Sequence, residues 1–260
     1  MRPNRKQSAL SAWGRKVSMF DSRKALLFLC ILTSLLYSGA CVPAKQARVA
    51  AVALTVGDVA RAAAKQSDPT IIKAGSPAYL MLIDGLIEAY PDNRELLTVG
   101  CQAYDTFASS FLEDSERHEA SALYAKAMHY GFRALSEQGD FSKALSGTLG
   151  EFTNFLQKYD KDSVPALFWT ATAWASWTNT NLDDLEALAE LPMLEATMKR
   201  LLELDDSFYY GGPHLLLATY LAAKPAILGG NVDQAREHFE QALALGKGKL
   251  LMARVLYARY

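Results

Sequence analysis

From about residue 49 to the end of the chain, apolar residues recur at spacings of three and four, and strand-like alternation is missing. That period belongs to the α-helix, where positions three and four apart share a face. Stretches such as 79–87 and 119–135 also draw heavily on Ala, Leu, Met and Lys, which lose little freedom on entering a helix. The punctuation is helical too. Ser76-Pro77 predicts an N-cap with a first-turn proline, Tyr90-Pro91-Asp92-Asn93 a stop and restart, and Gly229-Gly230-Asn231 a further break.

The breaks recur, which raises the question of internal repeats. Tetratricopeptide repeats place a small residue, an aromatic four on and a small residue three further along the second helix of each pair, so that neighbouring helices approach closely. Ala120, Tyr124 and Ala127 have that spacing, as do Ala235, Phe239 and Ala242, and Leu194, Met198 and Leu201 form a looser copy. Each has an apolar first-helix partner upstream, at 96–107, 167–177 and 214–223. The joining stretches exceed what a 34-residue repeat allows, so the expected fold is all-α: irregular tetratricopeptide-like helical repeats forming an α-solenoid over 49–260, with inserted turns. An ordinary helical bundle is the alternative. Stacked helix pairs build extended concave surfaces that recognise other chains or ligands.

Composition adds little to that picture, and the N-terminus adds a good deal. Half of the 260 residues are apolar, and 27 basic residues against 28 acidic ones leave a net charge of -1, so no global field favours nucleic acid. Residues 25–37 form an uncharged apolar run behind Arg23 and Lys24, too short to span a bilayer. With the small residues Ser38, Gly39 and Ala40 after it, the layout is a signal peptide over 1–40. Ser38-Gly39-Ala40-Cys41 resembles a bacterial lipobox, which predicts a lipid on Cys41 and a tether over 41–48. Ser38 departs from the aliphatic residue usual at its position. Met19 would begin a signal of ordinary length and is the expected start of translation.

No catalytic constellation emerges. The four histidines include no pair at one-turn spacing, and the three cysteines, Cys30, Cys41 and Cys101, build neither a disulfide framework nor a CxxC site. Gly246-Lys247-Gly248-Lys249 lacks the upstream glycine and following hydroxyl of a phosphate loop and reads as a basic helix end. Asp183-Asp184 and Asp205-Asp206 read as turn and helix-start residues. The expectation is a non-enzyme without metal or cofactor. Aromatics are the richer signal: Phe168, Trp169, Trp174 and Trp177 lie on one predicted helix, and Phe208, Tyr209 and Tyr210 introduce another. Trp174 and Trp177 share a face, with Trp169 offset from Trp174 by roughly 140°. One face is expected in the core and the other along a cavity.

The string from Leu204 to His214, followed by Tyr220, Pro225, Gly229-Gly230 and 238–243, resembles the TatT family, tetratricopeptide-type lipoproteins associated with TRAP transporters. Ser76-Pro77-Ala78-Tyr79, Asp84-Gly85-Leu86-Ile87, Pro91-Asp92-Asn93, 130–135 and 165–169 fit the same order. The resemblance runs from Ser76 to the end. It implies a lipid-anchored α-solenoid facing the periplasm, able to form a homo-oligomer, with an apolar channel or groove. It further implies a partner, the substrate-binding component of a TRAP-type (tripartite ATP-independent periplasmic) transporter, and a further helix beyond Tyr260. On that basis a small apolar or carboxylate ligand is expected beside Trp169, Trp174, Trp177, Tyr209, Tyr210 and His214, with Trp as walls and Tyr and His as polar contacts. The alternative function is an envelope-assembly scaffold with no small-molecule site.

Overall fold

The structure is a computed structural model that describes residues 56–63, 65–112 and 116–260. The expected signal peptide, Met19, Cys30, Cys41 and the expected tether lie outside the described residues. Within the unit from Ala60 to Tyr260 the regular structure is helical, and no strand occurs among the described residues.

Helix α1, Pro69–Ala89, starts earlier than the Ser76-Pro77 signal predicts. The Asp68 carboxylate accepts the Thr70 N–H at 2.8 Å, and Pro69 takes the first turn, where no intrahelical N–H is needed. An Asp-Pro start about two turns upstream thus pre-empts the Ser-Pro one. Pro77 is carried inside the helix, and the Ser76 hydroxyl donates back to the Ile72 carbonyl at 2.6 Å. The break at 90–93 falls as expected: Asn93 accepts the Leu96 N–H at 2.9 Å and opens α2, Arg94–Phe111.

Three helix pairs follow. The first is α2 with α3, Arg117–Leu135. The second is α6, Val164–Thr180, with α8, Leu191–Asp205, joined through the short α7, Leu185–Ala189. The third is α9, Phe208–Ala223, with α10, Val232–Gly246. Within each pair the helices pack together; between pairs, first helix packs on first helix and each second helix on the next first helix. All nine spacing residues on α3, α8 and α10 are buried, none more than 1% exposed. They face inward because these positions share one helix face, and that face packs on the neighbouring helices.

Inserted turns are expected between the partners of a pair, where α7 lies; a longer insert falls between the first and second pairs as two short helices, α4, Phe141–Leu145, and α5, Leu149–Leu156. Their function is to deliver a plug. Phe141 is fully buried, its ring 5.0 Å from Phe132 and 5.4 Å from Phe152, and the Tyr159 hydroxyl donates to the Leu135 carbonyl at 2.6 Å. The 246–249 segment ends α10 as read, with Lys247 and Gly248 left-handed, and leads to α11, Leu251–Arg259. Asp184 caps α7 through the Glu186 N–H, and Asp205 accepts from the Ser207 N–H and hydroxyl.

Candidate functional site

Where α9 begins, three consecutive residues adopt left-handed backbone: Tyr209 at φ 47°, Tyr210 at 63° and Gly211 at 81°. For glycine this is free, but a tyrosine there brings Cβ against its own carbonyl, at about 1–2 kcal/mol per residue. Packing on both sides holds the kink. A side chain at Gly211 would meet Ala242 and Leu245 of α10, and one at Gly212 would meet the Phe168 ring of α6 at 2.8 Å. The chain must therefore turn sharply to thread both glycines between two helices, and the tyrosines absorb the turn.

The kink throws both tyrosine rings outward, with Tyr209 43% and Tyr210 48% exposed. Beneath them lie two buried rings of α6: Tyr209 sits 5.7 Å from Phe168 and 5.1 Å from Trp169, and Phe208 closes on Phe168 at 5.3 Å. Burial, and Tyr210 beside it, push the Tyr209 hydroxyl up, so it is a neutral donor near pH 7. Lys249 stands 5.8 Å from the centre of the Tyr210 ring. Strained backbone of this kind persists only where its surroundings over-determine it. Tyr210→Asn, which tolerates the left-handed region, is expected to raise stability by up to about 1 kcal/mol. The urea midpoint measures this; a clear fall would mean that the ring's packing outweighs the strain.

The six expected site residues part company in the folded chain. Trp169, Tyr209 and Tyr210 form this corner. His214 lies one turn further along α9, its Nδ1 2.8 Å from Nδ1 of His238 on α10 and its Nε2 3.7 Å from Asp206. Trp174 is fully enclosed near Phe132 and Phe141, its Nε1–H donated to Glu190 at 2.9 Å. Trp177 is half-buried against Ala108, Ala120 and Tyr124.

The histidine pair makes the α9–α10 contact acid-sensitive. Burial, then the neighbouring His214, lower the His238 imidazole against a smaller opposing pull from Glu237. A histidine depressed in the fold binds fewer protons than the unfolded chain does, so stability is lost as pH falls through the unfolded value near 6.5. His238→Asn is expected to flatten the pH dependence of the unfolding midpoint between about pH 7 and 5.

One polar cluster escaped the sequence reading. Asp84 of α1 accepts from Tyr104 of α2 at 2.7 Å and from Lys126 and Tyr130 of α3 at 2.6 and 2.8 Å. Burial alone would raise the Asp84 carboxyl; these hydrogen bonds more than reverse it and hold it below the ordinary carboxylate range. Burial and the Asp84 contact push the Tyr130 hydroxyl up to about 12. The only trace of this cluster in the sequence is an acidic residue in an otherwise apolar stretch of α1.

Stacked helical hairpins presenting exposed side chains at the joint between repeats define a class of proteins that work by contact with other molecules. The chain matches the family of TAtT, the TRAP transporter T-component, over residues 65–260, and it belongs to that family. It is therefore an accessory component of TRAP transport, a system of the bacterial envelope. None of the curated proteins compared with the chain matches it.

Proposed function

We propose that this T-component is held at the membrane by a lipid on Cys41, faces the periplasm, and docks the substrate-binding protein of its transporter. The corner of Trp169, Tyr209, Tyr210 and His214 shelters a partly apolar ligand beside that contact. The observation that carries this reading is the pair of consecutive tyrosines kept in a costly conformation with their rings turned to solvent. Exposed aromatics on a rigid base are the usual anchors of interfaces and ligand walls. Trp174 and Trp177 stand apart from the corner, packed against other helices.

The scaffold alternative draws on those same two residues, since a filled interior around Trp174 needs no ligand to explain it. The two readings separate on Trp169→Ala/Tyr209→Ala. With the lipid-free processed chain and the substrate-binding protein of the same transporter, calorimetry is expected to show the double variant binding about thirtyfold weaker, the effect of losing one anchor residue. Unchanged binding by a variant with parental circular dichroism would favour the scaffold.

A further inference from the structure

A cavity of about 400 Å³ opens between α1 and α3, away from the aromatic corner. Its walls carry Asp84, Ile87 and Glu88 from α1 and Lys126, Tyr130 and Arg133 from α3. Spacings of three and four put each set on one face of its helix, so the two faces look at each other.

The charges are unequally committed. Asp84 already accepts from three donors, and Lys126 spends two of its three N–H groups on Asp84 and Tyr104, the second at 2.9 Å. That pair is electrically closed. Arg133 gives one of its five N–H groups to the Pro91 carbonyl at 2.6 Å, and its guanidinium carbon lies 5.8 Å from the centre of the Tyr130 ring. The guanidinium is thereby fixed in place with most of its fork unspent. The Glu88 carboxylate is exposed and carries no ion pair among the described residues. Glu88 also stands in the last turn of α1, where unsatisfied carbonyls and the helix dipole favour a cation. The Arg133–Pro91 bond brings the guanidinium to that same helix end, since Pro91 follows Glu88 by three residues.

The cavity therefore presents one unspent cation and one unspent anion beside the few exposed atoms of Ile87 and the Tyr130 ring. A dianion would meet two carboxylates with only one free cation to offset them, and a simple amine would leave Arg133 unanswered. We propose that this cavity binds a zwitterion of the α-amino-acid type, its carboxylate on the Arg133 fork, its ammonium on Glu88 and its side chain along Ile87 and Tyr130. The site is separate from the aromatic corner and does not depend on it.

The test uses the processed chain and the twenty common L-amino acids, each added singly at millimolar concentration and read by thermal shift, with calorimetry on whichever binds best. L-leucine is the first probe, because each of its charged groups can be removed singly: its controls are 4-methylpentanoate, which lacks the ammonium, and 3-methylbutylamine, which lacks the carboxylate. At least one amino acid is expected to bind, with its deaminated and decarboxylated analogues about tenfold or more weaker. Glu88→Gln, an exposed position where folding is not at stake, is expected to weaken the amino acid about tenfold and leave the deaminated analogue unchanged. Arg133→Gln should lose both, with circular dichroism confirming an intact fold. Binding of no amino acid overturns the proposal, as does a deaminated analogue that binds as tightly as its parent.

Discussion

Trp174→Ala is expected to destabilise the protein by about 3–5 kcal/mol, the range for deleting a large aromatic from a packed core. The side chain is wholly enclosed, with the Phe132 ring set edge-on at 5.4 Å and Phe141 at 6.5 Å. It therefore joins α3, the inserted plug on α4 and its own helix α6 in one cluster. Its Nε1–H also supplies Glu190, at the junction of α7 and α8, with a hydrogen bond. Burial raises the Glu190 carboxyl, the Trp174 bond lowers it, and Glu186 and Asp184 push it up again. Truncation leaves both a cavity and a half-buried carboxyl without that donor. Trp174→Phe keeps most of the packing and loses the N–H, so it should fall well short of the alanine loss. Urea unfolding of the three proteins measures the series, and an alanine effect below about 1 kcal/mol would contradict the packing described.

Gly131→Ala is expected to cost about 1–3 kcal/mol, and Gly131→Val more, through overpacking at the joint between the first and second helix pairs. A Cβ at Gly131 would run into the Thr170 hydroxyl oxygen, and would stand 2.9 Å from its Cβ and 3.0 Å from its Cγ2. Thr170 is fully buried on α6, so it has nowhere to turn. The helices would have to separate, and every later repeat rides on that contact. The partner substitution supplies the check: Thr170→Ala in the Gly131→Ala background should recover much of the loss, a coupling that a double-mutant cycle reads directly. Gly85 of α1 is the internal control, because nothing lies within 4 Å of where its Cβ would stand. Gly85→Ala is expected to stabilise by about 0.4–1 kcal/mol, since it only removes freedom from the unfolded chain.

The legible part of the fold was its local part. Helix period, the breaks at 90–93 and 229–231 and the Ala120–Tyr124–Ala127 and Ala235–Phe239–Ala242 spacings depend on residues within one or two turns, and each appears where the pattern placed it. The helix starts at Asp68-Pro69 rather than Ser76-Pro77 because two valid start signals stand eight residues apart, and nothing local ranks them. Composition could say that aromatics were in surplus on α6, yet Trp169, Trp174 and Trp177 went to three different surroundings. A helix wheel gives the angle between side chains, and only the neighbours around the helix say what each angle faces.

The candidate sites lie further still from local pattern. The left-handed tyrosines follow from the fit of Gly211 and Gly212 against α10 and α6, and the Asp84 cluster joins three helices whose members are 20 to 46 positions apart. By itself the sequence determined that the chain is helical, how its helices pair, and through its ordered turn and glycine motifs which family it resembles. The tertiary structure alone decided which aromatics are core and which are offered to solvent, and which charges remain unspent. Both outcomes depend on contacts between helices, and those are set by packing of the whole stack rather than by any stretch of chain.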